Sequence, residues 1–334
     1  MFDLRNQLIP FLFTAVSILL FLGCGGQPEE PSPQPTTTVS TVPSTPERAP
    51  KKEIYHPEQD AAAEIKQSLI KAQKDNRHVI LVWGGNWCGW CYKLHDLFEN
   101  NEPVSELLEE DFIVIPVDYN SNKSLGAQYS ESITSFPFLT VLDASGEVLV
   151  NQRTEPLEEG DHHSPAAVLK FLEEWKPKPQ EANTVFHDSI VQASRENKLV
   201  FLHLGSPSCG YCRLLDAFLW SKEIAPLMEQ DYVEVKIDLA RMEGAQEFAQ
   251  QIRPGGSGGI PWFAVLDGKG EILATSDGPN GNVGYPVAQE EIAHFMKVIG
   301  ETSKNLNPDQ LAIIENSLVE GAEKLKARRA SAQG

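Results

Sequence analysis

Four cysteines in two tight pairs carry most of the chemistry in this chain: Cys88 and Cys91 in "WCGWC", and Cys209 and Cys212 in "SCGYC". Two thiols at this spacing can run thiol–disulfide exchange, clip a metal ion or form a small structural cross-link. Structural bridges remove most unfolded-state entropy where they close long loops, and a C-x-x-C pair closes almost nothing. Two such pairs in one chain favour exchange, which needs a reactive thiolate, solvent access and a second thiol to resolve the mixed disulfide.

The elements that must position these pairs are written twice. Ahead of each pair comes a helical pattern, "AAAEIKQSLIKAQKDNR" or "NTVFHDSIVQASRENK". It leads into a continuous apolar run, "HVILVWGG" or "LVFLHLGS", that reads as a buried central strand. A further helical pattern follows the cysteines, containing "KLHDLF" and "RLLDAFLW". A second strand reads "DFIVIPVDY" and "DYVEVKIDL". Then come "SFPFLTVLDASGEVLV" and "GIPWFAVLDGKGEILA", strand, turn and strand, with Asp-Ala-Ser-Gly and Asp-Gly-Lys-Gly supplying the turns. A last amphipathic helix closes each copy, so the period is about 120 residues, the size of a domain.

This order places Cys88 and Cys209 at helix N-termini, where unpaired backbone N–H groups and the helix dipole stabilise a thiolate. Cys91 and Cys212 lie one turn inward as resolving thiols. Gly89 and Gly210 admit the backbone of another chain. Trp87, Trp90 and Tyr211 form apolar rims, and the basic Lys93 and Arg213 further favour the thiolate.

Both copies resemble thioredoxin-like domains, over roughly residues 61–175 and 181–300. The resemblance rests on C-x-x-C between a buried strand and a helix, a proline about 50 residues later at the head of a strand, and the hairpin after it. It implies an α/β fold, with two tandem domains of central mixed sheet flanked by helices. It also implies cis bonds at Phe136–Pro137 and Ile260–Pro261, which turn the backbone of Phe136 and Ile260 toward a substrate chain. In thioredoxin a buried Asp six residues before the first cysteine moves the proton of the resolving thiol. Val82 stands there in the first copy. In the second it is His203, a candidate general base or a hydrogen-bonded core histidine. The second copy also has Ser208 in place of Trp87, and a glycine-rich "RPGGSGG" ahead of Pro261.

The front of the chain reads as an export signal. A polar "MFDLRNQ" precedes an apolar run too short to span a bilayer comfortably. It ends in "FLGCGG", which resembles a bacterial lipoprotein signal, with Cys24 the lipidated residue and Phe21 where Leu is usual. An ordinary secretory signal or a short anchor is the alternative. The Pro-, Thr- and Ser-rich stretch after it reads as an extended tether. The expected organisation is signal 1–23, tether 24–55, first domain 56–178, second domain 179–301 and helical tail 302–334. The tail starts at Asn307-Pro308 and either packs on the second domain or meets a partner.

These readings place a lipid-anchored protein at the extracytoplasmic face of the cell envelope. It exchanges disulfides with exported proteins and with a membrane or extracytoplasmic electron-transfer partner, and needs no cofactor beyond its own cysteines. The net charge of −19 argues against nucleic acid as a partner. Two other readings compete. A scaffold lipoprotein would keep the cysteines as permanent disulfides, since fold alone does not establish activity. A metal site would draw on Cys88, Cys91, His95, His162 and His163. Asp216 replaces His95 in the second copy, and His162 and His163 otherwise read as solvated residues before a helix.

Overall fold

The computed structural model describes residues 52–256 and 259–332. The signal segment, Cys24 and most of the tether lie outside the described residues. In the first domain α1 (Ala61–Asp75) leads to β1 (His78–Gly84), α2 (Gly89–Asn100), α3 (Glu102–Asp111), β2 (Phe112–Asp118) and α4 (Lys123–Tyr129). A hairpin of β3 (Phe138–Leu142) and β4 (Val148–Arg153), a ribbon of β5 (Glu158–Glu159) and β6 (His162–His163), and α5 (Pro165–Trp175) complete it. The second domain runs α6 (Ala182–Glu196), β7 (Leu199–Gly205), α7 (Gly210–Leu219), α8 (Ala225–Met228), β8 (Tyr232–Asp238) and α9 (Ala245–Ile252). It continues with β9 (Trp262–Leu266), β10 (Ile272–Thr275), a ribbon of β11 (Asp277–Gly278) and β12 (Gly281–Asn282), α10 (Gln289–Thr302) and α11 (Pro308–Ala332).

Each domain is built on a four-stranded mixed sheet, ordered β2-β1-β3-β4 and β8-β7-β9-β10. The central β1 and β7 are buried almost throughout, as their unbroken apolar runs require. Each pairs in parallel with β2 or β8 through a helical crossover, and antiparallel with β3 or β9. Helices cover both faces.

Local chemistry repeats along with the topology. Asn76 and Asn197 end α1 and α6 in the left-handed region, at φ 44° and 54°, and their N–H groups return to the carbonyls of Ala72 and Ala193. Asp143 and Asp267 build the hairpin turns. Asp143 Oδ1 accepts from the N–H of Ser145 and Glu147, and Asp267 Oδ1 from the N–H of Lys269 and Glu271. Gly146 and Gly270 supply φ of +90° and +87°.

Parts of the fold depart from the sequence reading, while the tail keeps to it. The helix α3 was not expected; Asn101 caps it by accepting from Val104 N–H, with Pro103 in its first turn. Tyr55, counted with the tether, is 1% exposed and packs inside the first domain. The tail is the helix α11, which packs on the second domain. Asn307 and Gln310 exchange backbone-to-side-chain hydrogen bonds of 3.0 Å at its start. Its Ile314, Leu318 and Ala322 join the core formed by Phe201, Phe263, Phe295 and Ile299. Among the described residues no helix is long and apolar enough to cross a membrane.

Leu318 is fully buried in that core. Leu318→Ala should therefore cost about 2–5 kcal/mol. In hydrogen exchange, the β7–β9 amides should lose protection while those of β1–β3 keep theirs.

Candidate functional site

Each cysteine pair sits where strand gives way to helix, and each is a disulfide, with Cα atoms 5.3 Å apart in the first domain and 5.2 Å in the second. Cys88 and Cys209 are the N-cap residues of α2 and α7. Their sulfurs accept the N–H of Cys91 and Cys212 at 3.1 Å. The sulfur thus takes the role usually played by a serine or aspartate oxygen. Once the bridge is reduced, the same N–H and the helix dipole face a thiolate. Cys91 and Cys212 are each 1% exposed.

The peptide bonds Phe136–Pro137 and Ile260–Pro261 are cis. In the second domain the Ile260 carbonyl oxygen lies 3.6 Å from Cys209 Sγ, which places the proline strand beside the sulfur. The strand is held from behind: Asn282 Nδ2 donates to the carbonyls of Gly259 and Pro261. In the first domain Thr154 Oγ1 donates to the Pro137 carbonyl.

The rims differ. Trp87 is 54% exposed and meets Phe136 edge-on, with ring centres 5.1 Å apart. Trp90 is half-buried, edge-on to His163 at 5.3 Å, with Lys93 Nζ 4.3 Å above its ring. Tyr211 is exposed and carries the guanidinium of Arg329, from α11, against its ring and hydroxyl. Cys88 is 7% exposed under Tyr55, Trp90 and Phe136, whereas Cys209 is half-exposed.

Behind the sulfurs the domains part further. In the first, Val82 is apolar and the space beside Cys91 is filled by Tyr55. A Cβ built on Gly84 would fall 2.6 Å from both Cys91 Sγ and the Tyr55 hydroxyl, so only glycine lets these two groups meet there. Asn86, two residues before Cys88, holds Tyr55 by taking the N–H of Ile54 and Tyr55 and donating to the Tyr55 carbonyl. Burial, reinforced by Asp118 and Tyr92, pushes the Tyr55 hydroxyl up, so it stays protonated.

In the second domain the same place is ionic. His203 is 1% exposed; its Nε2 lies 3.1 Å from Glu234 Oε1 and its Nδ1 3.6 Å from Asp216 Oδ1. Lys236, opposite His203 in the β7–β8 register, donates to Asp216 Oδ2 at 2.8 Å. Asp216 follows Cys212 by one helical turn, so the two share a face of α7. A Cβ on Gly205 would sit 3.5 Å from Cys212 Sγ and 3.8 Å from Lys236 Cε, which locates the lysine close behind the sulfur. Burial pushes the Asp216 carboxyl up, against the pull of His203 and Lys236. For Glu234 burial is outweighed by His203 and Lys74, which hold it down at about 2. Asp216 Oδ1 is buried without a hydrogen bond.

Sequence reasoning singled out His203 but missed Asp216, Glu234, Lys236 and Tyr55. The signal for three of them was a charge inside or facing a buried strand: Glu234 and Lys236 interrupt "DYVEVKIDL". His163, read as solvated, is 2% exposed. His162 is exposed, and His95 pairs with Glu99. Among the described residues no three His, Cys, Asp or Glu side chains are grouped to hold a metal ion.

Residues 65–154 match the family described as thioredoxin-like domain, and residues 166–315 match Thioredox_DsbH, described as a protein of unknown function, DUF255. The chain is 26% identical over 102 residues to the disulfide bond reductase DsbH of Chlamydia pneumoniae, covering 27% of this chain and 60% of that protein. It is 24% identical over 137 residues to the spermatogenesis-associated protein 20 of Homo sapiens, covering 37% of this chain and 16% of that one. These matches thus span less than two thirds of either relative. Among solved structures, a disulphide isomerase from Xylella fastidiosa Temecula1 is 23% identical, with a TM-score of 0.34, covering 36% of this chain and 95% of that one. The chain carries two domains of the thioredoxin kind.

Burial beside Trp90, with Lys93 and His162 adding to it, holds His163 down at about 4 from its ordinary 6.5. The unfolded chain therefore binds this proton first. The stability His163 secures is complete above pH 6.5, is lost as the pH falls toward 4 and levels off below, at most about 3 kcal/mol in all. Urea unfolding at pH 7 and 4.5 should show the parent losing more stability between the two than His163→Leu does.

Proposed function

We propose that the protein is a thiol–disulfide oxidoreductase of the cell envelope, exchanging disulfides with exported proteins through Cys88/Cys91 and Cys209/Cys212. One observation carries the reading. In both domains the N-capping cysteine accepts the N–H of its partner cysteine, beside a cis-proline strand. A structural cross-link needs neither the helix N-terminus nor that strand, and the two recur together. The likeness to the disulfide bond reductase DsbH of Chlamydia pneumoniae supports the same class.

In the forward exchange the Cys209 thiolate attacks one sulfur of a substrate disulfide, and the other leaves as a thiolate. Cys212 then attacks Cys209 Sγ, expelling the second substrate sulfur and closing the Cys209–Cys212 bridge. Two electrons pass from the pair to the substrate. The extended substrate segment pairs with the backbone of Ile260, which the cis bond and Asn282 hold toward Cys209. Tyr211 gives its side chains an apolar wall.

Cys212 gives up its proton toward Asp216 and His203, a carboxylate and an imidazole 3.6 Å apart. The first domain follows the same course with Cys88, Cys91, Phe136 and Pro137, and with Trp87 and Trp90 on the rim. It has a tyrosine hydroxyl in place of the acid, so proton release from Cys91 is slower. Lipidation at Cys24 would hold both domains at a membrane, where an electron-transfer partner renews the dithiols.

Thiol titration of residues 52–334 in graded glutathione buffers, with alkylated peptides resolved for each pair, tests the reading. Both pairs should titrate reversibly, and a pair that stays oxidised throughout is a cross-link. Cys91→Ser and Cys212→Ser should each trap a mixed disulfide with an exported protein, and Cys88→Ser and Cys209→Ser should trap none. His203→Leu should flatten the pH dependence of exchange at the second pair, and an unchanged profile would remove His203 from the mechanism.

A further inference from the structure

The network behind Cys212 does not end in its own domain. Lys74 and Asp75, the last two residues of α1, reach it from the first domain. Lys74 Nζ donates to Glu234 Oε2 at 2.9 Å and lies 3.9 Å from Glu229. Asp75 Oδ1 accepts from Lys236 Nζ at 2.6 Å. Two arms result. One runs from Asp216 through His203 and Glu234 to Lys74, and the other from Asp216 through Lys236 to Asp75. Arg77 and Arg241 flank Asp75 at 3.1 and 3.4 Å, and Trp220 Nε1 donates to Glu234. Remove the first domain and Lys236 loses one of its two carboxylates, while Glu234 loses its ammonium partner.

We propose that the first domain sets the redox equilibrium of the Cys209–Cys212 pair by supplying the opposing charges of Lys74 and Asp75 at the two ends of this network. The inference rests on the reading of Cys209 and Cys212 as an exchanging pair. Reduction by glutathione breaks the Cys209–Cys212 bond and forms one S–S bond between two glutathiones. Two electrons enter the pair, and each sulfur either takes a proton or stays a thiolate. A thiolate is favoured by nearby positive charge and opposed by negative charge, and the low-dielectric interior carries that influence through the network. A dithiol whose reduced form is stabilised in this way is the more readily reduced. Lys74 and Asp75 are positioning residues: they touch neither sulfur and act through Glu234 and Lys236.

The two ends predict opposite signs. In the full chain, Asp75→Asn should shift the equilibrium with glutathione toward the dithiol and lower the pH at which Cys209 becomes alkylatable. Lys74→Met should shift both the other way, each by about three- to tenfold, the effect of half to one pH unit. Asp75→Glu and Lys74→Arg keep the charges and should restore the parental values. Urea unfolding identifies any variant lost to misfolding, and the sign of the other variant still decides. A structural contact alone would move both variants in one direction or leave the equilibrium within twofold of the parent, and either result overturns the proposal. A parent whose second pair never leaves the oxidised state overturns the exchange reading, and this inference with it. A parent that titrates while both variants coincide with it removes this inference only.

Discussion

Asp75 and Lys236 are 161 residues apart in sequence and meet at 2.6 Å with side chains only 11% and 3% exposed. Taking charges out of water is costly, and a single buried pair seldom repays the loss. Here the charges are matched several times over. Lys236 has Asp216 and Asp75. Arg241 has Asp238 and Asp75, and its guanidinium also donates to the carbonyls of Asp75 and Glu110 at the ends of α1 and α3. Those carbonyls have no partner within their own helices, so an arginine from the other domain completes them. The contact also covers β8, an edge strand that would otherwise offer unpaired backbone. Removing one member would strand its partners in a dry interior. The two domains are therefore held together by an electrostatic obligation.

The two sites share a front and differ at the back. Register makes the comparison position by position. Val82 opposite Pro116 in the first sheet corresponds to His203 opposite Lys236 in the second, and Val114 corresponds to Glu234. On the helices His95 corresponds to Asp216. Every polar member of the second network thus has a counterpart in the first domain that is apolar or, for His95, turned to Glu99. Tyr55 enters from outside the repeat to fill the gap. The same reactive geometry is presented twice, once over Tyr55 and apolar strand residues and once over a charged network.

What the sequence made legible follows from this division. Strands β1 and β7 announce themselves as apolar runs, the hairpins by Asp-x-x-Gly, and the sulfur sites by cysteine spacing, because each is specified within a few residues. The ribbons β5–β6 and β11–β12 have two residues per strand, too few for an alternating pattern, and escaped notice. Tyr55 was hidden because its value lies in a contact with Cys91, and composition around it resembles the tether. The interface was invisible for the same reason: Lys74 and Asp75 look like the polar end of an amphipathic helix until β8 is placed against them. His163 failed differently, since a buried imidazole beside Trp90 has the same letters as a solvated one.

The clasp of Asn86 on Ile54 and Tyr55 has a mechanical side. The first folded contacts that the chain makes after residue 52 include those between this segment and a loop two residues from Cys88. Tension applied to the chain ahead of residue 52 would enter the domain at that point. A pull that peeled Tyr55 away would open the space beside Cys91, so the first dithiol would register that load as exposure of its inner sulfur.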